Sequence, residues 1–180
     1  MSYVKNQNAD VMLLQGTHLL RGEHGKLNRP WIGPLGQIFH SQFNCKTRGT
    51  AILIKKNVQF APSKIIADPE GRYTIVSGIL YQKPVVFTSI YAPNWDDHNF
   101  FNSMLSLIPN LDSNTLILGG DLNCAIDPVL HRSSPRLISP SRTSQTLSAF
   151  MDQFGYVDPW TFMYPSIFLL LASPSLFFPH

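Results

Sequence analysis

Residues 115–124 read TLILGGDLNC. The aliphatic run Leu116, Ile117 and Leu118 holds no charge and no turn former, the pattern of a short strand buried in a sheet. Gly119 and Gly120 follow it, and there a backbone can turn tightly and let a ligand come close. The strand therefore delivers Asp121 and Asn123 to the rim of a sheet. On an extended backbone, two side chains two residues apart point the same way. A carboxylate beside an amide oxygen suits a hard cation such as Mg²⁺, or an Asp general base held in place by Asn. The alternative is a Gly-Gly-Asp turn in which both side chains make ordinary turn hydrogen bonds.

Working outward, the apolar period is mostly that of strands. Residues 10–15 (DVMLLQ) form a short apolar run that predicts a strand buried on both faces, and residues 16–34, rich in Gly and Pro, predict a loop. Further strands are expected over 37–42, 50–55 and 58–66, the last broken at Pro62, with a polar connection over 43–49. Residues 73–81 and 85–91 are rich in β-branched and aromatic residues and predict a hairpin joined by Gln82-Lys83-Pro84. Asp96 or Asp97 offers an N-cap for a helix carrying Phe100, Phe101, Met104, Leu105, Leu107 and Ile108, ended by Pro109 and Asn110. A second helix starts near Thr143 or Ser144, places Leu147, Phe150, Met151 and Phe154 on one stripe, and stops at Gly155. Strands of this kind with a few helices make a single α/β or α+β sandwich.

Bulk properties narrow the class. The chain has 180 residues, room for one domain, and its hydrophobic content of 44% excludes a disordered polymer. The net charge of +3 favours a polyanionic partner only slightly, because no basic run accompanies it. Cys45 and Cys124 lack disulfide or zinc spacing and read as buried small hydrophobes in a reducing compartment. The polar N-terminus carries no signal peptide, and the apolar run 167–172 is far shorter than the ~20 residues that span a bilayer. The expectation is an intracellular protein, nuclear or cytoplasmic.

One further segment gives the rim its meaning. Residues 89–94 (SIYAPN) put Tyr91 at the end of a strand, immediately before a proline-terminated loop. Alone, Tyr91 reads as an interfacial aromatic. Together with LILGGDLN at this spacing, it resembles the endonuclease/exonuclease/phosphatase family. The closest likeness is to the branch found in LINE-type retrotransposons, alongside apurinic/apyrimidinic endonucleases and deoxyribonuclease-like enzymes. Residues 9–18 (ADVMLLQGTH) are similar to the family strand ending Leu-Gln-Glu-Thr-His, and 46–54 (KTRGTAILI) to its Arg-Gly-x-Ala-Ile-Leu strand. Residues 68–76 (DPEGRYTIV) resemble the Gly-Arg-Tyr strand, 90–94 the Tyr-Ala-Pro-Asn motif, and 119–123 the Gly-Gly-Asp-x-Asn motif. Residues 151–160 (MDQFGYVDPW) resemble the helix and turn that follow.

The resemblance implies a four-layer α/β sandwich of two facing mixed sheets with flanking helices, present here in part. It implies that Asp121 activates a water for in-line attack on a phosphodiester, that Asn123 orients it, and that Tyr91 hydrogen-bonds the phosphate. It also implies Mg²⁺ held at Asp121 and Asn123, and DNA as partner, with Arg48 and Asn94 as nucleic-acid contacts. Lys46, Arg72 and Arg132 are further basic residues to test for phosphate contact. Three departures accompany the likeness. Gly16 stands where the family has its metal-binding Glu. No strand supplying the family's first active-site Asn precedes residues 9–18. Residues 161–180 (TFMYPSIFLLLASPSLFFPH) show neither the remaining strands nor the closing Asp-His pair. The expectation is a partial domain over 1–160 lacking its C-terminal strands, then an unrelated apolar tail over 161–180. Its ancestral activity is Mg²⁺-dependent DNA cleavage of a retrotransposon, impaired or lost here. The alternatives are an active Mg²⁺-dependent nuclease or phosphodiesterase, and a non-catalytic remnant that binds nucleic acid or protein.

Overall fold

A computed structural model describes residues 9–19, 36–44, 46–126 and 139–159. In chain order its elements are β1 (Val11–Gln15), β2 (Gln37–Ser41), β3 (Thr50–Ile54), β4 (Phe60–Ala67), β5 (Tyr73–Leu80), β6 (Lys83–Tyr91), α1 (His98–Leu105), β7 (Thr115–Asp121) and α2 (Arg142–Phe154). The chain divides into two compact units, Met1–Pro93 with Met104–Leu122, and Asn94–Ser103 with Asn123–His180.

The first unit holds two sheets. β1, β3 and β2 form a three-stranded sheet in that order, and β4, β5, β6 and β7 a four-stranded one. Only the second is mixed, through the parallel β6–β7 pair; the first is antiparallel throughout. Strand alternation sorts the side chains. Val11 and Leu13, Phe39, Ile52 and Ile54 pack from the first sheet onto Phe60, Val76, Val85 and Phe87 of the second. Each such side chain contributes about 1.5–3 kcal/mol on burial. Phe60 meets Phe39 and Phe87 edge-on, with ring centroids 6.2 and 5.5 Å away. Met12, Leu14, Ile38, Ala51 and Leu53 cover the other face of the first sheet together with Leu19.

Several expectations shift in detail. β3, not β1, is the fully buried strand, because it lies between two neighbours while β1 is an edge and only half-buried. Pro62 does not break β4. It sits at the register shift between Pro62 and Lys64, on a strand that among the described residues is paired on one side only, a place where proline is tolerated. The hairpin turns on Tyr81 and Gln82 rather than on residues 82–84, both at positive φ (46° and 68°), as a two-residue loop matched to strand twist demands. Pro84 is part of β6, paired with Ile79 at a level that β7, whose pairing begins at Val85, does not reach.

α1 is capped by Asp97, whose Oδ1 accepts the Phe100 N–H at 3.0 Å, and it buries Phe101, Met104 and Leu105. In the second unit, α2 has Ser141 as N-cap and Gly155, at φ 66°, as C-cap. Asp96 serves this helix instead of α1: its carboxylate accepts from Arg142 N–H at 3.0 Å and Thr143 N–H at 2.8 Å. Among the described residues no helix is long and apolar enough to cross a membrane. Residues 161–180, Arg132 and Cys45 lie outside the described residues, and Cys124 is half-buried rather than buried.

Candidate functional site

Asp121 ends β7 and Tyr91 ends β6, and the two are register partners in the parallel pair. Neighbouring strands lie about 4.8 Å apart and register partners share a face. That face is the one between the sheets. Gly119, two residues before Asp121, comes so close to β1 that an added Cβ would lie 3.0 Å from Leu13 Cδ1. Ser89, two residues before Tyr91, donates its hydroxyl to the Leu14 carbonyl at 3.0 Å and lies 3.4 Å from the Gln15 amide nitrogen. The ends of β1, β6 and β7 thus meet at one rim.

Beneath that rim the apolar core gives way to a polar layer. Thr50 and Thr74 share a hydroxyl hydrogen bond of 2.8 Å between the sheets, and the Ser41 hydroxyl donates to the Asp68 carbonyl. The segments above are laced by their backbones. Thr17 N–H donates to Gly49 O and His18 N–H to Arg48 O, both at 3.2 Å, and Gly49 N–H to Gly71 O at 3.0 Å. Tyr91 N–H donates to Arg72 O at 2.6 Å and Ala92 N–H to Asp121 O at 2.8 Å. Five segments distant in sequence are fixed to one another in this way. The sequence marked the outer residues and missed the layer below; polar Thr50 and Ser89 inside otherwise apolar strands were the sign of it.

The other expected site residues divide. β7 ends at Asp121 and Asn123 has φ 48°, so the extended backbone assumed for the Asp121–Asn123 pair stops short of Asn123. Asn123 and Asn94 are both exposed. Arg48, at φ 66°, does not reach freely into solvent: its guanidinium pairs with Glu70 at 2.8 Å and lies 4.7 Å above the Phe43 ring. Arg72 is buried, not a solvated surface charge, with its Nε 4.0 Å from the same carboxylate. Asp68 Oδ2 accepts the Arg72 N–H at 2.8 Å. Burial, and then the Asp68 carboxylate, raise the Tyr73 hydroxyl above the usual phenol range. Lys46 is exposed.

Among the described residues the rim offers no cluster of acids for a magnesium ion. Gly16, at the end of β1, offers no ligand, and among the described residues no three His, Cys, Asp or Glu side chains cluster to hold a metal. The φ of Gly16 is 60°, and among the described residues a Cβ there would meet only His18 Nε2, at 3.7 Å.

A sequence profile of the Endonuclease/Exonuclease/phosphatase family matches residues 1–167. The chain belongs to the endonuclease/exonuclease/phosphatase family. Its fold is found in an AP endonuclease from Leishmania major, at TM-score 0.68 and 18% identity, over 91% of this chain and 63% of that one. An AP endonuclease from Archaeoglobus fulgidus matches at TM-score 0.61 and 14% identity, over 93% of this chain and 69% of that one. The endonuclease domain of TRAS1, a telomere-specific non-LTR retrotransposon, matches at TM-score 0.53 and 14% identity, over 86% of this chain and 62% of that one. The chain thus spans 63% of the Leishmania enzyme and 62% of the TRAS1 domain. Tyr91 and Asp121 end adjacent strands at the rim, and a glycine stands at position 16.

Proposed function

We propose that this chain is a retrotransposon-type endonuclease domain that has kept a phosphodiester-binding rim and lost its hydrolytic activity. The observation that carries the reading is Gly16. It stands beside the Gln15–Ser89 contact, where the family resemblance calls for the carboxylate that holds Mg²⁺. Asp121 and Tyr91 remain as register partners, and their chemistry suits a phosphate: a carboxylate to take a proton from water, a phenol to donate to a phosphoryl oxygen. Without a cation to neutralise charge on those oxygens, attack on a dianionic transition state loses its largest source of stabilisation. DNA is the proposed partner, supported by the likeness to endonuclease folds.

The test is plasmid nicking. With supercoiled plasmid and Mg²⁺, the purified chain is expected to cut no faster than Asp121→Ala. Nicking that disappears in Asp121→Ala overturns the impaired reading. Binding is tested separately, through the salt dependence of DNA affinity. Affinity should fall as salt rises, and a flat dependence excludes a phosphate-binding rim.

A further inference from the structure

Phe43 is a large aromatic ring that the fold leaves 51% exposed. It is nonetheless held in a rigid setting. The Asn44 side-chain oxygen accepts from Lys46 N–H at 2.9 Å, Thr47 N–H at 2.8 Å and the Thr47 hydroxyl at 3.0 Å, which ties Asn44 to those two residues. Before and at Phe43 the backbone lies against Gly71, so close that a Cβ on that glycine would come within 3.0 Å of Phe43 N. Gly71 adjoins Arg72, whose carbonyl accepts the Tyr91 N–H. The ring is therefore fixed to the same rim as Tyr91 and Asp121.

Arg48 fixes one face of the ring. Its backbone takes a left-handed conformation, at φ 66°, that a residue with a side chain adopts at a cost. Its guanidinium then sits 4.7 Å from the ring centroid, anchored by Glu70 at 2.8 Å. An exposed aromatic residue with a cation on one face of its ring is an arrangement on which an unpaired base can stack. We propose that Phe43, backed by Arg48, is a stacking platform for an unpaired nucleobase of a strand whose phosphates follow the rim. This rests on the nucleic-acid reading of the rim and adds the base-contacting residue.

The experiment compares fluorescence-anisotropy affinities for a short dye-labelled oligo(dT) and for an abasic strand of the same length and charge. The wild-type chain should prefer the base-bearing strand by roughly tenfold. Phe43→Ala should erase that preference while leaving abasic-strand affinity and its salt slope unchanged. Phe43→Trp should keep the preference, and oligo(dT) should quench its added fluorescence where the abasic strand does not. A wild-type chain that binds both strands equally, or a Phe43→Ala chain that keeps the preference, overturns the platform while the rim reading stands. A chain that binds neither strand overturns both.

Discussion

The ends of β1 and β7 each carry a left-handed glycine at the same rim, and different forces hold the two in place. Gly120 has φ 143°, and a Cβ there would lie 2.0 Å from the Ile90 carbonyl oxygen, inside any van der Waals contact. Packing of β7 on β6 demands glycine at that position whatever Asp121 does next. Gly16 has φ 60°, and among the described residues a Cβ there would make one ordinary contact, with His18 Nε2 at 3.7 Å. Among the described residues packing places little constraint on the size of a side chain at position 16, and the constraint there is the left-handed backbone. Packing alone requires Gly120, so the Gly-Gly-Asp motif by itself says little about activity. The glycine at position 16 is favoured by its left-handed backbone rather than by packing among the described residues.

The largest effect expected from this comparison is at Gly120. Gly120→Ala adds backbone strain and overlap with a carbonyl that cannot move without opening the β6–β7 pair, and should cost about 3–5 kcal/mol. Gly16→Ala adds only the left-handed preference, about 1 kcal/mol. Urea titration of both variants measures the contrast through their midpoints. Equal losses would show that the end of β1 is packed as tightly as the end of β7, and would remove the argument that packing places little constraint on position 16.

How much of this was legible in the sequence follows the same division. Strand positions were legible because apolar alternation is local: β3, β5 and β6 fall within a residue or two of expectation, whereas β7 runs three residues past Leu118 to Asp121 and is half-exposed rather than buried. Position 16 was legible because one residue departs from a motif. Pairing was not. The bulge that tolerates Pro62, the two-residue turn at Tyr81 and Gln82, and the edge position of β1 all depend on which strands lie alongside. The bonds from Tyr91 to Arg72 and from Ala92 to Asp121 join segments 19 and 29 residues apart, by subtraction of their numbers, and leave no trace in either segment alone. Arg48 was legible as a cation but not as one engaged by Glu70 and Phe43.

That engagement gives a smaller effect. Glu70 draws on Arg48 and Arg72 together and is itself 62% exposed, so the Arg48 pair contributes at most about 1 kcal/mol to stability. Glu70→Gln removes a negative charge from the rim while keeping an oxygen that accepts from Arg48. The expected result is severalfold tighter binding of single-stranded DNA with a salt slope steeper by about 0.7, the increment for one added phosphate contact. Unchanged affinity would place the phosphates away from this part of the rim, and would limit the retained function to the Tyr91–Asp121 end.

The smallest effect separates a carboxylate with a structural role from Asp121. Asp96 accepts from Thr143 N–H at 2.8 Å and Arg142 N–H at 3.0 Å at the start of α2. The Thr143 backbone bond, then the Thr143 side chain and the Arg142 backbone, hold its carboxyl below the usual range. A folded-state pKa lowered in this way stabilises the chain above the unfolded value of about 3.9, and the contribution is lost as pH falls through the folded value. Asp96→Asn should therefore unfold at lower urea than wild type at neutral pH, and the two should converge in acid, where both side chains are neutral. The difference between the two chains cancels the titration of every other carboxylate not coupled to Asp96. An Asp96→Asn gap that persisted unchanged into acid would mean that the geometry of the cap, rather than its charge, stabilises the helix.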